Sequence, residues 1–484
     1  MKILFVASEV APFAKTGGLA DVTGSLPLEL QRMGHDVRII MPFYQCVAKG
    51  EFLVRKTRKS VEIPLGGSLH KGLLRQTSLD GIPVYLLENK GYFHRDFLYG
   101  TPAGDYPDNP QRYAFFCRGV LELLKRLDYR PDVLHCHDWQ TALVPLLLKH
   151  EYAADPFFAH TATVFTIHNL AYQGLFPVKS MEAMGLDSSY FTVDRLEYYG
   201  EVNLMKGGIL TADQINTVSP TYCAEILTAE QGCGLDGVLR TRRGDLCGIL
   251  NGIDYGEWDP ASDREIFKNY TAASLAGKAA NKKGLQKLLG LDQAADIPLV
   301  GMVSRLSAQK GFDLVEQLLP DLVAERLQLV VIGSGDEKYA KLFQKISAQG
   351  FRNISLHVGF DQALARKIYA GSDLFLMPSH YEPCGLGQLI ALRYGAVPVV
   401  RRTGGLADTV VDERDNSKEQ TGFSFVEYTA AALWEALVRA LKAYRDRDAW
   451  RKIMRRGMNC DFSWKKSAAE YEDLYRRGEA RKRG

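Results

Sequence analysis

Thr16-Gly17-Gly18-Leu19-Ala20-Asp21 occurs twice in this chain, the second time as Thr403-Gly404-Gly405-Leu406-Ala407-Asp408. A basic residue precedes each copy, Lys15 in one and Arg402 in the other, and each follows an apolar run that reads as a β-strand. Six identical residues in matching context predict two halves of similar design. The halves either share an ancestor or converged on one backbone need, a tight Gly-Gly turn feeding a helix N-terminus. Working outward from the first copy, residues 3–7, 37–41, 133–136, 162–167 and 214–218 read as strands, with helical stretches such as 110–127 and 141–150 among them. Past residue 295 the rhythm restarts: strands at 298–303, 329–333, 354–358, 374–377 and 397–400, helices at 312–324, 337–348, 362–369 and 385–394, and an earlier helix starting at Asn281-Lys282-Lys283. Fully apolar strands alternating with helices imply parallel sheets covered on both faces. The expected fold is α/β, two doubly wound Rossmann-like domains facing across a cleft. The cleft follows because such sheets bind ligands at the carboxyl ends of their strands. Residues 50–90 are less regular, with a hairpin expected at Asp80-Gly81. The turn Asn251-Gly252-Ile253-Asp254 marks the boundary between halves.

Length and composition set further limits. A chain of 484 residues accommodates two or three domains. With 46% hydrophobic and 24% charged residues, it is neither disordered, fibrous nor a coiled coil. Sixty Lys and Arg against 57 Asp and Glu leave a net charge of +3, too small a bias to indicate nucleic acid or a membrane surface. No apolar run approaches the roughly 18 residues of a membrane span. The apolar start ends at Glu9, too early for a signal peptide. The eight cysteines form no CxxC pair; reduced thiols and a cytoplasmic location are expected, without a zinc site or disulfide framework.

Four segments carry groups fit for chemistry. Lys15-Thr16-Gly17-Gly18 lies between the first strand and its helix. Adjacent glycines let a ligand approach the backbone, the helix N-terminus offers N–H groups to an anion, and Lys15 adds a charge; the alternative is a glycine turn with a solvated lysine. The loop is neither a Walker A nor a GxGxxG pattern, which weighs against a P-loop ATPase and a plain dehydrogenase. Arg305-Leu306-Ser307-Ala308-Gln309-Lys310-Gly311 sets two cations in one βα loop, either phosphate contacts or ordinary surface charges. In Glu382-Pro383-Cys384-Gly385-Leu386-Gly387, backbone N–H groups are expected to face a ligand, and Glu382 either holds sugar hydroxyls or only stabilises the helix dipole. His135-Cys136-His137-Asp138-Trp139 closes one strand and His168-Asn169 the next. Alternation puts His135 and His137 on one face. Such a pair can bind zinc, while Asp138 and His168 can line a sugar pocket and leave His135 in the core. Asp446-Arg447-Asp448 is DxD-like but reads as a solvated helix face.

These blocks, in this order, resemble bacterial glycogen synthase and the starch synthases, retaining glycosyltransferases of GT-B fold. The match runs through residues 15–21, 137–139, 168–174, 251–252, 304–306, 309–311, 382–386 and 401–408, nearly the whole chain. The resemblance implies transfer of glucose from ADP-glucose to the non-reducing end of an α-1,4-glucan such as glycogen, with neither metal nor other cofactor. It implies that Lys15 binds the nucleotide sugar, that Arg305 and Lys310 hold the diphosphate, and that Glu382 acts at the donor sugar. Asp138 and His168 then stand near the glucose. Tyr99 falls where the family carries a donor-contacting tyrosine, and the backbone N–H of Gly387 is expected to matter more than its side chain. The matched blocks bring Gly17, Gly18, Asp21, Asn169, Asn251, Ser304, Cys384, Gly385 and Leu386 into the expected substrate site.

The physics fits that expectation. Breaking the anomeric C–O bond leaves charge on the departing ADP, which Arg305, Lys310 and backbone N–H groups stabilise. No residue declares itself as the nucleophile of a double displacement; the resemblance implies a front-face route. UDP-glucose as donor, a metal-dependent hydrolase built on His135 and His137, and a non-enzymatic glucan-binding protein are the alternatives. Finally, Trp464, Ala468, Tyr471 and Tyr475 form a helical stripe. The resemblance implies that this last helix, 463–484, packs back on the first domain (1–252) rather than on the second (253–462).

Overall fold

The computed structural model describes residues 1–101 and 103–483; Pro102, in the segment flanking Tyr99, and Gly484, the end of the expected last helix, lie outside the described residues. The chain forms two compact units, Met1–Asn251 with Trp464–Gly484, and Gly252–Ser463.

In the first unit, β1 (Lys2–Val6) is the centre of a nine-stranded sheet. Ile3, Leu4, Phe5 and Val6 are fully buried, as a strand covered on both faces requires. The other strands are β2 (Asp36–Pro42), β3 (Arg55–Leu65), β4 (Ser68–Leu79), β5 (Ile82–Glu88), β6 (Val133–His137), β7 (Ala162–Ile167), β8 (Gln214–Thr217) and β9 (Leu246–Gly248). Their order is β9-β8-β7-β6-β1-β2-β5-β4-β3. Pairing is parallel except for the antiparallel meander β3-β4-β5. Asp80 and Gly81, with φ of 44° and 92°, make the expected hairpin between β4 and β5, because both central residues of such a turn need positive φ. The chain winds outward from β1 in both directions, so the switch of strand order falls between β1 and β6. The first glycine pair opens helix α1 (Gly18–Arg32).

The second unit has a six-stranded parallel sheet: β10 (Leu299–Val303), β11 (Gln328–Gly333), β12 (Ile354–Val358), β13 (Leu374–Met377), β14 (Val397–Arg401) and β15 (Phe423–Phe425). The order β12-β11-β10-β13-β14-β15 places its switch point between β10 and β13. Several local expectations change here. Asn281-Lys282-Lys283 lies in the middle of a helix, α2 (Ala276–Leu288), rather than at its start. The expected helix 312–324 is two, Phe312–Gln317 and Leu319–Ala324; Pro320 has no N–H to continue the first ladder. The helix expected from residue 385 begins later, as α3 (Gly387–Arg393), because Gly385 has φ 73°.

Two helices close the chain, α4 (Arg447–Asn459) and α5 (Trp464–Arg483). Trp464, Ala468, Tyr471, Leu474 and Tyr475 of α5 are buried in the core of the first unit, against α1, β7 and β8. The chain therefore passes from one unit to the other twice. On the second unit's side Ile253 N–H donates to the Phe462 carbonyl at 2.8 Å; on the first unit's side Ser467 Oγ donates to the Leu250 carbonyl at 2.5 Å.

Candidate active site

At the switch point of the first unit, β1 runs into Ser8 and Glu9, and β6 into Asp138. Glu9 is 4% exposed, and its carboxylate gathers the loop before α1. It accepts hydrogen bonds from the Thr16 N–H, from Thr16 Oγ1 at 2.7 Å and from the Gly17 N–H at 3.3 Å. It also accepts from the Tyr99 hydroxyl at 2.6 Å, and Tyr99 lies 2.8 Å from Ser8 Oγ. Tyr99 is thus joined to the Lys15-Thr16-Gly17 loop through an acid that sequence reasoning passed over. Its signal was legible: a carboxylate directly after a fully buried strand is not placed in a core without donors. Lys15 itself is half-exposed and pairs with Asp21 at 2.5 Å; burial raises the Asp21 carboxyl, and Lys15 opposes the rise.

Asp138 has φ 54°, a left-handed conformation uncommon outside glycine. Its Oδ1 accepts the His168 N–H at 2.7 Å. Burial pushes its carboxyl up to about 8, against the lowering effect of the His168 and Asn169 N–H groups. His168 Nε2 lies 3.0 Å from His137 Nδ1, and burial pushes His168 down to about 3. Asn169 Oδ1 accepts the Ala171 N–H at 3.0 Å and shapes the turn after β7. Asn251, at the boundary of the unit, is buried with its Oδ1 unpartnered among the described residues.

His135 is committed to a hydrogen-bond network, whereas His137 Nε2 is buried without a partner among the described residues. His135 and His137 do share a face, with ring centroids 4.1 Å apart. His135 Nε2 lies 2.6 Å from Thr166 Oγ1, and its Nδ1 lies 2.9 Å from the Tyr475 hydroxyl of α5. Thr166 donates to Asn216, which donates to Tyr471 at 3.0 Å. Burial holds both imidazoles well below their ordinary range. Among the described residues no group of three or more His, Cys, Asp or Glu side chains could hold a metal ion. The hydrolase alternative gains no support. Asp446 caps α4, accepting from the Asp448 and Ala449 N–H groups, which is the helix-face reading of the DxD-like triplet.

At the switch point of the second unit, the loops after β10 and β13 are bound together. His380 N–H donates to the Gln309 carbonyl at 2.8 Å and Gln309 Nε2 to the Tyr381 carbonyl at 3.2 Å. Gly311 has φ 75°, and a side chain there would run into the Pro378 carbonyl. This brings Lys310 onto Glu382, with Nζ 2.6 Å and 2.9 Å from the two carboxylate oxygens, while Ser379 Oγ donates to the same carboxylate at 2.9 Å. Arg305 is exposed beside them, its NH2 3.4 Å from Gln309 Oε1. Ser304 Oγ bonds the Arg305 carbonyl. Cys384 is buried, and Gly385, Leu386 and Gly387 lead into α3 at intermediate exposure.

The two glycine pairs serve different ends. A Cβ at Gly17 would meet nothing within 4 Å, so that loop has open space over it. Side chains at Gly404 and Gly405 would strike the Glu382 and Cys384 carbonyls, and Gly405 N–H donates to the Glu382 carbonyl at 3.1 Å. The second copy therefore clamps the loop that carries Glu382.

Two doubly wound units, each with charged side chains gathered at its switch point, define the GT-B class of glycosyltransferases. Residues 2–241 match the starch synthase catalytic domain family and residues 292–457 the group 1 glycosyl transferases. The chain belongs to the glycogen and starch synthase family. It is 66% identical to the glycogen synthase of Geotalea uraniireducens over 100% of both chains, and 62% identical to glycogen synthase 2 of Geobacter sulfurreducens, again over 100% of both. Among solved structures it resembles the catalytic domain of starch synthase IV from Arabidopsis thaliana bound to ADP and acarbose, with a TM-score of 0.92, 37% identity and 99% of each chain covered. Sucrose-phosphate synthase from Thermosynechococcus elongatus shares the fold, with a TM-score of 0.58 at 17% identity over 98% of each chain. No helix among the described residues is long and apolar enough to cross a membrane.

Proposed function

We propose that this glycosyltransferase moves glucose from ADP-glucose to the non-reducing end of an α-1,4-glucan, with retention of the anomeric configuration and without a metal or other cofactor. The observation that carries the proposal is the second unit's cluster: Arg305, Lys310 and Glu382 on two fused loops at a switch point. The adenine nucleotide in the Arabidopsis relative supports ADP as the leaving group.

In this reading Arg305 and Lys310 take the diphosphate, Arg by parallel N–H bonds and Lys as a point charge. As the C1–O bond breaks, its electron pair goes to the β-phosphate oxygen, and the two cations stabilise that charge. The acceptor hydroxyl oxygen bonds C1 on the face the phosphate leaves, and its proton passes to the departing phosphate. Glu382 keeps Lys310 in place and meets the donor sugar. In the first unit, the Gly17 and Gly18 loop with Lys15, set by Glu9, meets the donor, and Tyr99 and Asp21 hold that loop. Asp138, at about 8, is largely protonated near neutral pH and can donate to a sugar oxygen. His168, held neutral by burial, offers a hydrogen bond without adding positive charge beside a developing oxocarbenium centre. Asn169, Asn251, Ser304, Cys384, Gly385, Leu386 and Gly387 complete the surroundings of the substrates.

The test is nucleotide release in the presence of glycogen from ADP-, UDP- or GDP-glucose. The proposal expects glycogen-dependent ADP release well above the other two. Preferential UDP release would overturn the donor assignment while leaving the family intact.

A further inference from the structure

An open cavity of about 1000 Å³ lies on the second unit between α2 and α4. It is on the wrong edge of the sheet to belong to the cluster described above. Asp296 and Asp373, which line it, stand just before β10 and β13, at the amino ends of the strands whose carboxyl ends carry Lys310 and Glu382. Five residues of strand span about 16 Å.

The cavity is basic, although burial pushes Lys278 down to about 7. Lys278, Lys282, Lys283, Arg447, Arg451 and Arg455 line it, against the two carboxylates Asp296 and Asp373. Both carboxylates are already taken. Asp373 is 2.7 Å from Lys282 Nζ and 2.9 Å from the Tyr444 hydroxyl, and Asp296 pairs with Arg326 outside the cavity. Lys282 spends its donors on Asp373, Tyr444 and the Ala295 and Ile297 carbonyls, and Arg451 pairs with Asp448 at 3.0 Å; the remaining cations have donors to spare. Lys278 is 5% exposed and bonds only the Tyr369 and Tyr394 carbonyls, at 3.0 and 2.9 Å. Lys283 is exposed and has no carboxylate partner among the described residues. Arg447, Arg451 and Arg455 recur every four residues, so they share one face of α4. Of the five N–H donors on each guanidinium, Arg447 uses one on the Ala295 carbonyl and Arg455 one on the Ala272 carbonyl. The Arg447 guanidinium carbon lies over the Tyr444 ring, 3.9 Å from its centroid. Trp450, 2% exposed, also lines the cavity, and its indole N–H has no acceptor among the described residues. The facing wall is Ala276, Ala279 and Ala280, small side chains that keep the cavity wide.

We propose that this cavity is a second ligand site, for an organic phosphate the size of a sugar phosphate or a nucleotide. The arginine row and Lys283 take the phosphate, and the volume suits a small molecule. The site sits beneath the first residues of two strands that lead to Lys310 and Glu382, so its occupant is an effector rather than a donor.

Calorimetric titration of the full chain, with ADP saturating, tests this with glucose 6-phosphate, AMP and inorganic phosphate as probes and glucose as the uncharged control. At least one phosphate probe should bind at one per chain, more weakly as salt rises, and glucose should not bind. The tightest probe identifies the source of the phosphate. Replacing Lys283→Gln, Arg451→Gln and Arg455→Gln together should weaken binding at least about tenfold, since each lost charge-assisted bond alone accounts for that much. The melting temperature and the turnover without effector should stay unchanged. No binding by any phosphate probe, or binding that the triple substitution leaves intact, would overturn the proposal. Binding that ADP abolishes would instead put the phosphate at Lys310 and overturn it equally.

Discussion

Lys310 and Glu382, 72 residues apart, form a doubly contacted ion pair with Nζ–O distances of 2.6 and 2.9 Å, their side chains only 15% and 7% exposed. A cation expected to hold the diphosphate together with Arg305 is therefore also half of a structural pair. Lys310→Ala should cut turnover about a hundredfold and destabilise the second unit by about 3 kcal/mol, because it leaves a buried carboxylate uncompensated. Lys310→Met combined with Glu382→Gln should recover the melting temperature but not the activity. A double variant that regains turnover would remove both residues from the reaction.

Glu9 holds the loop before α1 and Tyr99 together. Glu9→Ala leaves their donors without an acceptor, at about 1–3 kcal/mol for each buried one, and should lower kcat/KM for the donor by more than tenfold. Tyr99→Phe removes two bonds, to Glu9 and to Ser8 Oγ, but leaves those from Thr16 and Gly17 to Glu9 intact, and should cost less than Glu9→Ala. Steady-state kinetics on both variants checks this ranking; equal losses, or a larger loss for Tyr99→Phe, would mean that Tyr99 acts for itself and not through Glu9.

The buried acid and histidines of the first unit pull stability in opposite directions with pH. Asp138 moves from 3.8 to about 8. Across that window the folded chain keeps a proton the unfolded chain has lost, so this contribution falls as pH rises. His135, His137 and His168 shift downward from 6.5. Below 6.5 the unfolded chain binds protons the folded chain refuses, so their contribution falls as pH drops. Melting temperatures over pH should show Asp138→Asn gaining on the parent as pH rises towards 8. His137→Asn should gain on it as pH drops below 6.5. Curves that run parallel to the parent's would refute these assignments.

Deleting residues 464–484 strips Trp464, Tyr471 and Tyr475 from the core of the first unit and leaves His135 and Asn216 without their tyrosine partners. Hydrogen exchange should then rise across β6, β7 and β8 while the second unit stays protected. Unchanged protection in those strands would contradict the packing of α5.

Most of the parallel strands were legible because they are short, largely apolar runs between breakers, and the terminal helix because its aromatic stripe keeps helical spacing. β9 and β15 were not, since three residues each, Leu246–Gly248 and Phe423–Phe425, hold no period. The split near Pro320 was written in the sequence but overruled by apolar spacing. The site residues stood out as charges at strand ends, yet their partners did not. Nothing local tells that Lys15 pairs with Asp21, that Lys310 closes on Glu382, or that a tyrosine 340 residues away completes His135. The repeated hexapeptide is the sharpest case. The same letters leave open space at Gly17 and lock two loops together at Gly404 and Gly405, a difference set by tertiary neighbours alone.

The central claim is retaining transfer of glucose from ADP-glucose to a glucan, and the most direct test follows the anomeric carbon itself. ADP-glucose labelled with carbon-13 at C1 is incubated with the full chain and glycogen, and the product is read by NMR. The account predicts that the label appears in new α-1,4 linkages in step with ADP release. Label recovered as free glucose or in a β-linkage, or no transfer from ADP-glucose at all, would contradict it.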